Sequence, residues 1–337
     1  IHGQAITDDS GAGVGLSSDG TILVVLSVGG YMSEMAGMVD PMMMEMMMEM
    51  NEGKEKGKVK VYKIADIVTP TQVEIIPPDP NAPVYTPLDV PVQLGQDIIG
   101  PHDDDFFGYR VAMSNDGTIL ATGDSWYDGP DNNLTDAGHV KVYQYANDTW
   151  TQLGQEILGE TDNPSSTVYF GGSVSLSSDG TIVAAGAISA NKQLQDGSFE
   201  YQGYAKICQW NGSTWTELGE NIWGGPTGGT GASVGLSSDG SIVAVGAKYS
   251  DINEIDSGHV RVYQYSTPGV TGGTWTQLGQ DIYGEAAEDY SGESVTLSSD
   301  GTIVAISALY NDDGGNNSGH VRVYQYSTPG VTGGTWT

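Results

Sequence analysis

The sequence predicts an all-β fold, specifically a β-propeller of four-stranded antiparallel blades. A short phrase of two apolar runs joined by an Asp-Gly turn occurs five times, at intervals of about 60 residues. Asp-Gly between apolar runs is a strong hairpin signal, because glycine adopts the positive φ that such turns require. The five turns lie at Asp19-Gly20, Asp116-Gly117, Asp179-Gly180, Asp239-Gly240 and Asp300-Gly301. The 49 glycines of the 337-residue chain also suit many tight turns.

The repeats divide one predicted propeller domain, residues 1–337, into five blade units. Their approximate bounds are residues 1–98, 99–157, 158–222, 223–282 and 283–337. In the fourth unit the expected strands are 233–237, 242–247, 259–265 and 274–282. The second of these is apolar at nearly every position, which predicts burial on both faces. Sheets packed between two neighbours around an axis meet that requirement.

Two segments of the first unit depart from the repeat. A loop insert at residues 28–56 carries most of the eleven methionines, and its Met and Glu residues favour a short helix. Its composition favours an apolar contact patch over a Cu(I) site, because no Cys or His lies nearby in the sequence. Residues 63–91 are rich in proline and predict an extended excursion outside the sheet.

The repeat resembles a known family. Phe107-Gly108 and Phe170-Gly171 open units, Asp-Gly forms the first hairpin, and Val-Gly-Ala ends the second strand. With the phrase Gly-His-Val-Arg-Val-Tyr and the period near 60, the chain is similar to the FG-GAP repeat of the integrin α-subunit propeller. It is also similar to secreted multi-repeat proteins of microalgae and marine bacteria. The resemblance implies a seven-bladed ring if the chain is longer, but not the family's calcium site, because each turn here has a single Asp.

Charge limits the partners of this protein. The chain has 43 acidic and 12 basic residues, a formal net charge of −31. It therefore repels nucleic acid and anionic lipid, and no apolar run is long enough for membrane insertion. A single cysteine, Cys208, excludes an intrachain disulfide. We expect a secreted or cell-surface protein, whose partners are other copies of itself or other extracellular proteins or glycans.

The aspartate side chains of the acidic loops are the candidate metal ligands. Asn, Asp and Gly are common in turns because their side chains bond to nearby backbone, and that interpretation competes with calcium binding. The calcium candidates are Asp103, Asp104, Asp105, Asp124, Asp128, Asp312 and Asp313. No cofactor other than calcium is expected. His139, His259 and His320 each begin a third strand, and the spacing of blades prevents them from sharing one metal, so a structural role is expected.

Four Asn-x-Ser/Thr sequons are candidate glycosylation sites. They lie in predicted loops or hairpins at Asn133, Asn147, Asn211 and Asn316.

The sequence shows no catalytic Ser/His/Asp arrangement and no phosphate-binding loop. We therefore expect no enzyme, but a non-catalytic structural or adhesive subunit of a surface appendage, filament or matrix. One alternative is a receptor-like propeller that binds a protein or glycan on its loop face. A more remote alternative is a hydrolase, since fold does not determine function.

Overall fold

The computed structural model describes only part of the chain in detail. The described residues are 8–16, 22–29, 58–63, 92–101, 107–129, 136–160, 167–226, 228–267, 272–328 and 333–337. They form 25 strands and no helix. The methionine-rich insert beyond Gly29, with its expected helix, and the proline-rich segment beyond Lys63 lie outside the described residues.

Apart from one two-stranded hairpin, the described strands form five antiparallel sheets in chain order. Sheet 1 contains β1 (Asp8–Leu16), β2 (Ile22–Gly29), β3 (Lys58–Lys63), β4 (Val92–Gln93) and β5 (Ile98–Ile99). Sheet 2 contains β6 (Arg110–Met113), β7 (Ile119–Asp124), β8 (His139–Ala146), β9 (Thr149–Gln152) and β10 (Ile157–Leu158). Sheet 3 contains β11 (Phe170–Leu176), β12 (Ile182–Ala187), β15 (Tyr204–Trp210), β16 (Trp215–Glu217) and β17 (Ile222–Trp223).

The last two sheets repeat the pattern. Sheet 4 contains β18 (Thr230–Leu236), β19 (Ile242–Ala247), β20 (His259–Tyr265), β21 (Trp275–Gln277) and β22 (Ile282–Tyr283). Sheet 5 contains β23 (Ser291–Leu297), β24 (Ile303–Ala308) and β25 (His320–Gln325), and Tyr326 bridges to Trp336. A small hairpin that the sequence reading missed, β13 (Asn191–Gln193) with β14 (Phe199–Tyr201), precedes β15.

The sheets are the blades of a β-propeller. The first strands of successive sheets, β6, β11, β18 and β23, contact each other and so lie nearest the axis. Four apolar clusters each combine residues from two neighbouring sheets, so the core consists of layers between blades. The second strands β7 and β12 are buried at every position, as the sequence predicted. The seven-bladed ring stays a prediction.

One expectation needs correction, because the fourth strand of each complete sheet is broken into two pieces. In sheet 3, β16 and β17 both pair with β15 and are separated by residues 218–221, which begin with Leu218-Gly219. Gly219 has φ +81°, a left-handed conformation that interrupts the strand. Counted as separate strands, the pieces make the complete sheets five-stranded.

The turn between the first two strands uses its aspartate internally. In sheet 3 the Oδ1 atom of Asp179 accepts hydrogen bonds from the Ser177 hydroxyl (2.7 Å), the Thr181 amide (2.9 Å) and the Thr181 hydroxyl (2.8 Å). The same pattern occurs at Asp116 and Asp300. The carboxylate therefore organises the hairpin by forming an Asx-type turn.

Candidate functional site

The loops gather on two opposite faces of the propeller. In an antiparallel sheet, the start of the first strand, the end of the second and the start of the third lie at one edge. The loops at that edge define the loop face, and the Asp-Gly hairpins lie on the opposite face. The loop face comprises the described parts of residues 125–138, 159–169, 188–203, 224–229, 248–258, 284–290 and 309–319.

Tyrosines from the β13–β14 hairpin and from the loops of sheets 4 and 5 meet on the loop face. The ring centroids of Tyr249 and Tyr290 are 5.6 Å apart at an interplanar angle of 83°, and those of Tyr290 and Tyr310 are 5.2 Å apart at 75°. A Cβ atom at Gly229 would lie 2.9 Å from the Tyr249 ring and 3.3 Å from the Tyr201 hydroxyl, so these two tyrosines flank Gly229. We call Tyr201, Tyr249, Tyr290 and Tyr310 the tyrosine cluster.

Tyr290 adopts a strained backbone conformation. It immediately precedes β23 and has φ +52°, in the left-handed region that large side chains rarely adopt. The corresponding residue before β18 is Gly229, with φ +51°, and the one before β11 is Tyr169, with φ +54°. The Tyr169 ring lies 5.3 Å from Trp126. The left-handed conformation therefore recurs at this position in three sheets, and at Tyr290 it is combined with a large ring, a costly arrangement that is more common at functional sites.

A buried amide–carboxylate contact positions two of these rings. Asp289 is 3% exposed, and its Oδ2 atom accepts hydrogen bonds from the Ala286 amide and from Asn311 Nδ2, both at 3.0 Å. Asp289 precedes Tyr290, and Asn311 follows Tyr310. The contact therefore links the two loops that present the rings of sheet 5.

Carboxylates surround the tyrosine cluster. Half-buried Asp256 is the titratable group of interest, because burial and the negative charges of Asp251 and Glu288 raise its pKa above the usual range. The charge of Asp256 also helps to raise the pKa of Tyr290, after burial. A carboxyl group with a raised pKa beside other titratable groups is typical of general acid–base sites.

The cation Lys248 lies beside the tyrosine cluster and its carboxylates. Lys248 Nζ lies 2.8 Å from Glu293 and 4.9 Å from the centre of the Tyr249 ring. Burial acts to lower the pKa of Lys248, but the hydrogen bond and charge of Glu293 outweigh it, so the net shift is upward. Lys248 is therefore a permanent cation at neutral pH.

Those predicted calcium ligands that the structure describes do not converge on one point. Asp103, Asp104 and Asp105 lie outside the described residues. Asp124 is fully buried at the end of β7, 3.6 Å from His139, and the Asp128 carboxylate accepts the Asp136 amide at 3.0 Å. Asp312 accepts the Asn317 amide at 2.7 Å, while Asp313 lies near Glu285 and His320. The carboxylates of Asp128 and Asp312 thus organise loops, as turn chemistry predicts.

The three strand-initial histidines differ in environment. His139 and His259 are buried, whereas the side chain of His320 is 22% exposed and faces Glu285 at 3.8 Å. Of the four sequon asparagines, Asn147, Asn211 and Asn316 are exposed and Asn133 lies outside the described residues.

A groove of about 250 Å³ lies at the outer edge of sheets 2 and 3. The ammonium group of Lys206 lies in it, paired with Glu160 and at 3.3 Å from Glu217. Burial raises the pKa of the neighbouring Cys208 thiol to about 12, which leaves it unreactive. These contacts join neighbouring blades.

Similar solved structures were found, although no family model and no curated protein matches the chain. A protein described as a 6-phosphogluconolactonase from Bacteroides uniformis has a TM-score of 0.53 and 13% identity, covering 96% of this chain and 70% of its own. The periplasmic gluconolactonase of Pseudomonas aeruginosa has a TM-score of 0.53, 15% identity and the same coverage. The β-propeller domain of the Trilobed protease from Pyrococcus furiosus has a TM-score of 0.44 and 9% identity.

The first two comparisons contradict the expectation of a non-catalytic structural or adhesive protein that is not an enzyme. Both similar structures carry the names of lactonases, which are enzymes. The expectation rested on the absence of a catalytic Ser/His/Asp arrangement and of a phosphate-binding loop from the sequence. In a propeller the groups of a site come from loops of different blades, and only the fold brings them together.

The sequence analysis missed the tyrosine cluster, although a signal was present. Large aromatic residues occupy one repeat position just after the second strand, at Trp126, Tyr249 and Tyr310. A second position, just before the first strand, holds Tyr169 and Tyr290. Aligning the repeats by position would have singled these residues out.

The structure includes no helix, within its described ranges, with the length and apolar character of a membrane span.

Proposed function

We propose that the protein is a hydrolase that opens a small polyhydroxylated lactone at the tyrosine cluster. The observation that carries this proposal is the meeting of edge-to-face aromatic rings and a carboxyl group of raised pKa, Asp256, on one face of the propeller. The lactonase names of two structures with the same fold support the reaction class.

The rings provide the binding surface. Tyrosine offers a flat apolar face for the C–H groups of a sugar and a hydroxyl for its oxygens. Sites for small molecules commonly combine aromatic walls with a few polar groups, as here. Asp289 and Asn311 hold the rings of Tyr290 and Tyr310 in place before a ligand arrives.

Asp256 acts as the general base. Its carboxylate accepts a proton from water while the water oxygen attacks the carbonyl carbon of the lactone. The bond between that carbon and the ring oxygen then breaks, and the proton passes to the ring oxygen. One water is consumed and the product is a hydroxy acid. Lys248 provides positive charge for the carbonyl oxygen that becomes negative.

Local charge selects the substrate. The tyrosine cluster has four neighbouring carboxylates: Asp251, Asp256, Glu288 and Glu293. The neighbouring cation, Lys248, is already paired with Glu293. A phosphate group would be repelled by these carboxylates. The preferred substrate is therefore an uncharged lactone, not a phosphorylated one.

The test is the opening of glucono-δ-lactone, followed by acid release at constant pH and corrected for the spontaneous rate. Wild-type protein should accelerate it, and Asp256→Asn should lower kcat about 100-fold or more. Asp300→Asn, in a hairpin turn on the opposite face, is the matched control and should keep full activity. Turnover no faster than the spontaneous rate, or an Asp256→Asn variant as active as wild type, would refute the proposal.

Tyr290→Gly gives a second, independent signature. Glycine occupies the corresponding position at Gly229, so the backbone accepts it and the strain is relieved. The variant should have a higher KM and an unchanged or higher melting temperature. Loss of stability together with loss of binding would instead indicate a structural role for the ring.

We also propose that the repeat is related to FG-GAP blades and that the protein works outside the cell. The glycine of Phe170-Gly171 supports the first point: it has φ +88°, and its Cβ would lie 2.6 Å from the His139 carbonyl of the preceding sheet. The exposed sequons at Asn147, Asn211 and Asn316 support the second. Its partners there would be extracellular proteins, glycans or further copies of the chain. Secretion from a eukaryotic host followed by peptide N-glycosidase treatment tests the location, and a mass unchanged by the enzyme would count against it.

A further inference from the structure

Three potential metal ligands meet at one side of sheet 5. A carboxylate oxygen of Glu285, one of Asp313 and a ring nitrogen of His320 all lie within 4.8 Å of one another. They come from the loop before β23, the loop after β24 and the first residue of β25. The fold alone brings them together, since up to 35 residues separate them along the chain.

Arg322 orients the glutamate without blocking it. The Arg322 guanidinium pairs with Oε1 of Glu285, while Oε2 faces His320 Nδ1 at 3.8 Å. Ligand carboxylates in metal sites commonly make such a second contact, which fixes their orientation. Oε2 therefore remains directed toward His320.

Sheets 3 and 4 lack this combination. The position of Glu285 is occupied by Glu160 before sheet 3 and by Gly225 before sheet 4. The position of His320 is occupied by Tyr204 and His259 in those sheets. Sheet 3 thus has the carboxylate without the histidine, and sheet 4 has the histidine without the carboxylate.

We propose that Glu285, Asp313 and His320 bind one divalent transition-metal ion, of which Zn²⁺ is the best match. One imidazole and two carboxylates suit zinc, whereas calcium takes six to eight oxygens and does not favour imidazole. Tetrahedral ligands at about 2.1 Å from zinc lie about 3.4 Å from each other, so the loops need to close by about 1 Å. Three protein ligands leave a fourth position for water.

The experiment is calorimetric titration of the chelator-treated, dialysed 337-residue chain with ZnCl₂, in parallel with CaCl₂. Wild type should bind one Zn²⁺ with an affinity at least tenfold above that for Ca²⁺. His320→Ala and Asp313→Asn should each lower the zinc affinity by tenfold or more. Asp312→Asn, which changes the neighbouring carboxylate outside the triad, should bind zinc like wild type.

Substituting another histidine tests whether His320 is the zinc ligand. The chain has five histidines, and His102 is followed by three aspartates. Zinc binding abolished by His102→Ala but retained by His320→Ala would overturn the assignment, as would the absence of zinc binding by wild type. Circular dichroism of each variant establishes that it is folded. Because titration needs no substrate, its result is independent of whether the protein opens lactones.

Discussion

His259 begins the third strand of its sheet with its imidazole buried. The ring lies 6.3 Å from that of Tyr283. Burial, followed by the positive charge of Arg261, lowers the pKa of His259 to about 4, although Asp281 acts in the opposite direction. The folded protein therefore holds this histidine neutral at pH values where an unfolded chain protonates it.

This difference predicts a pH dependence of stability. Unfolded His259 has a pKa of about 6.5, so below pH 6.5 the unfolded state binds more protons than the folded state. The stabilising effect of keeping His259 neutral is fully present above pH 6.5. The free energy of unfolding should therefore fall by about 2 kcal/mol between pH 7 and pH 5. Urea unfolding at both pH values measures it.

The comparison variant is His259→Gln, which has no group titrating in this range. Its free energy of unfolding should change less than that of wild type between pH 7 and pH 5. Equal pH dependence in the two proteins would mean that His259 is not held neutral by the fold.

At the scale of elements, the phrase Leu-Gly-Gln joins successive blades. Trp215 Nε1 donates to the Leu153 carbonyl of the preceding blade at 2.7 Å. Gln155 pairs with the Trp215 backbone through both ends of its amide, at 2.7 and 3.1 Å. The same contacts link Gln96 to Trp150 and Gln280 to Trp336. The recurring phrase therefore acts between blades as well as within one.

Gln155→Ala should lower the free energy of unfolding by about 1 kcal/mol, because it removes two hydrogen bonds to a partly buried strand. Glu220 occupies the same position in the next blade and makes no such bond to Trp275 among the described contacts. Glu220→Ala is therefore the matched control, with little expected effect. Denaturant unfolding of both variants checks the prediction, and equal losses would argue against the inter-blade role.

At the scale of the whole molecule, charge is the dominant feature. A net charge of −31 on one chain creates self-repulsion that opposes the folded state. Dissolved salt screens this repulsion over about 10 Å at 0.1 M.

Raising NaCl from 0.02 M to 0.5 M at pH 7 should therefore raise the melting temperature by a few degrees. The increase should shrink near pH 4, where about half of the carboxylates are protonated. Differential scanning calorimetry at both pH values measures the effect. A melting temperature that falls with added salt at pH 7 would contradict the prediction.

The sequence by itself determined the all-β propeller and the positions of its hairpins. Turns and strands depend on neighbouring residues: Asp239 and Gly240 form a turn by local hydrogen bonds, and β19 is buried because nearly every residue in it is apolar. The break in the fourth strand also has a local cause, the left-handed conformation of Gly219, but the sequence analysis did not predict this break.

Only the tertiary structure decided the candidate sites. Tyr249 meets Tyr290, and Glu285 meets His320, across loops that belong to different strands and blades. No spacing along the chain encodes these distances, because they depend on how each sheet packs against the next. The acidic loops illustrate the same limit: in sequence Asp312 and Asp313 look alike, yet one closes a turn and the other joins a histidine and a glutamate.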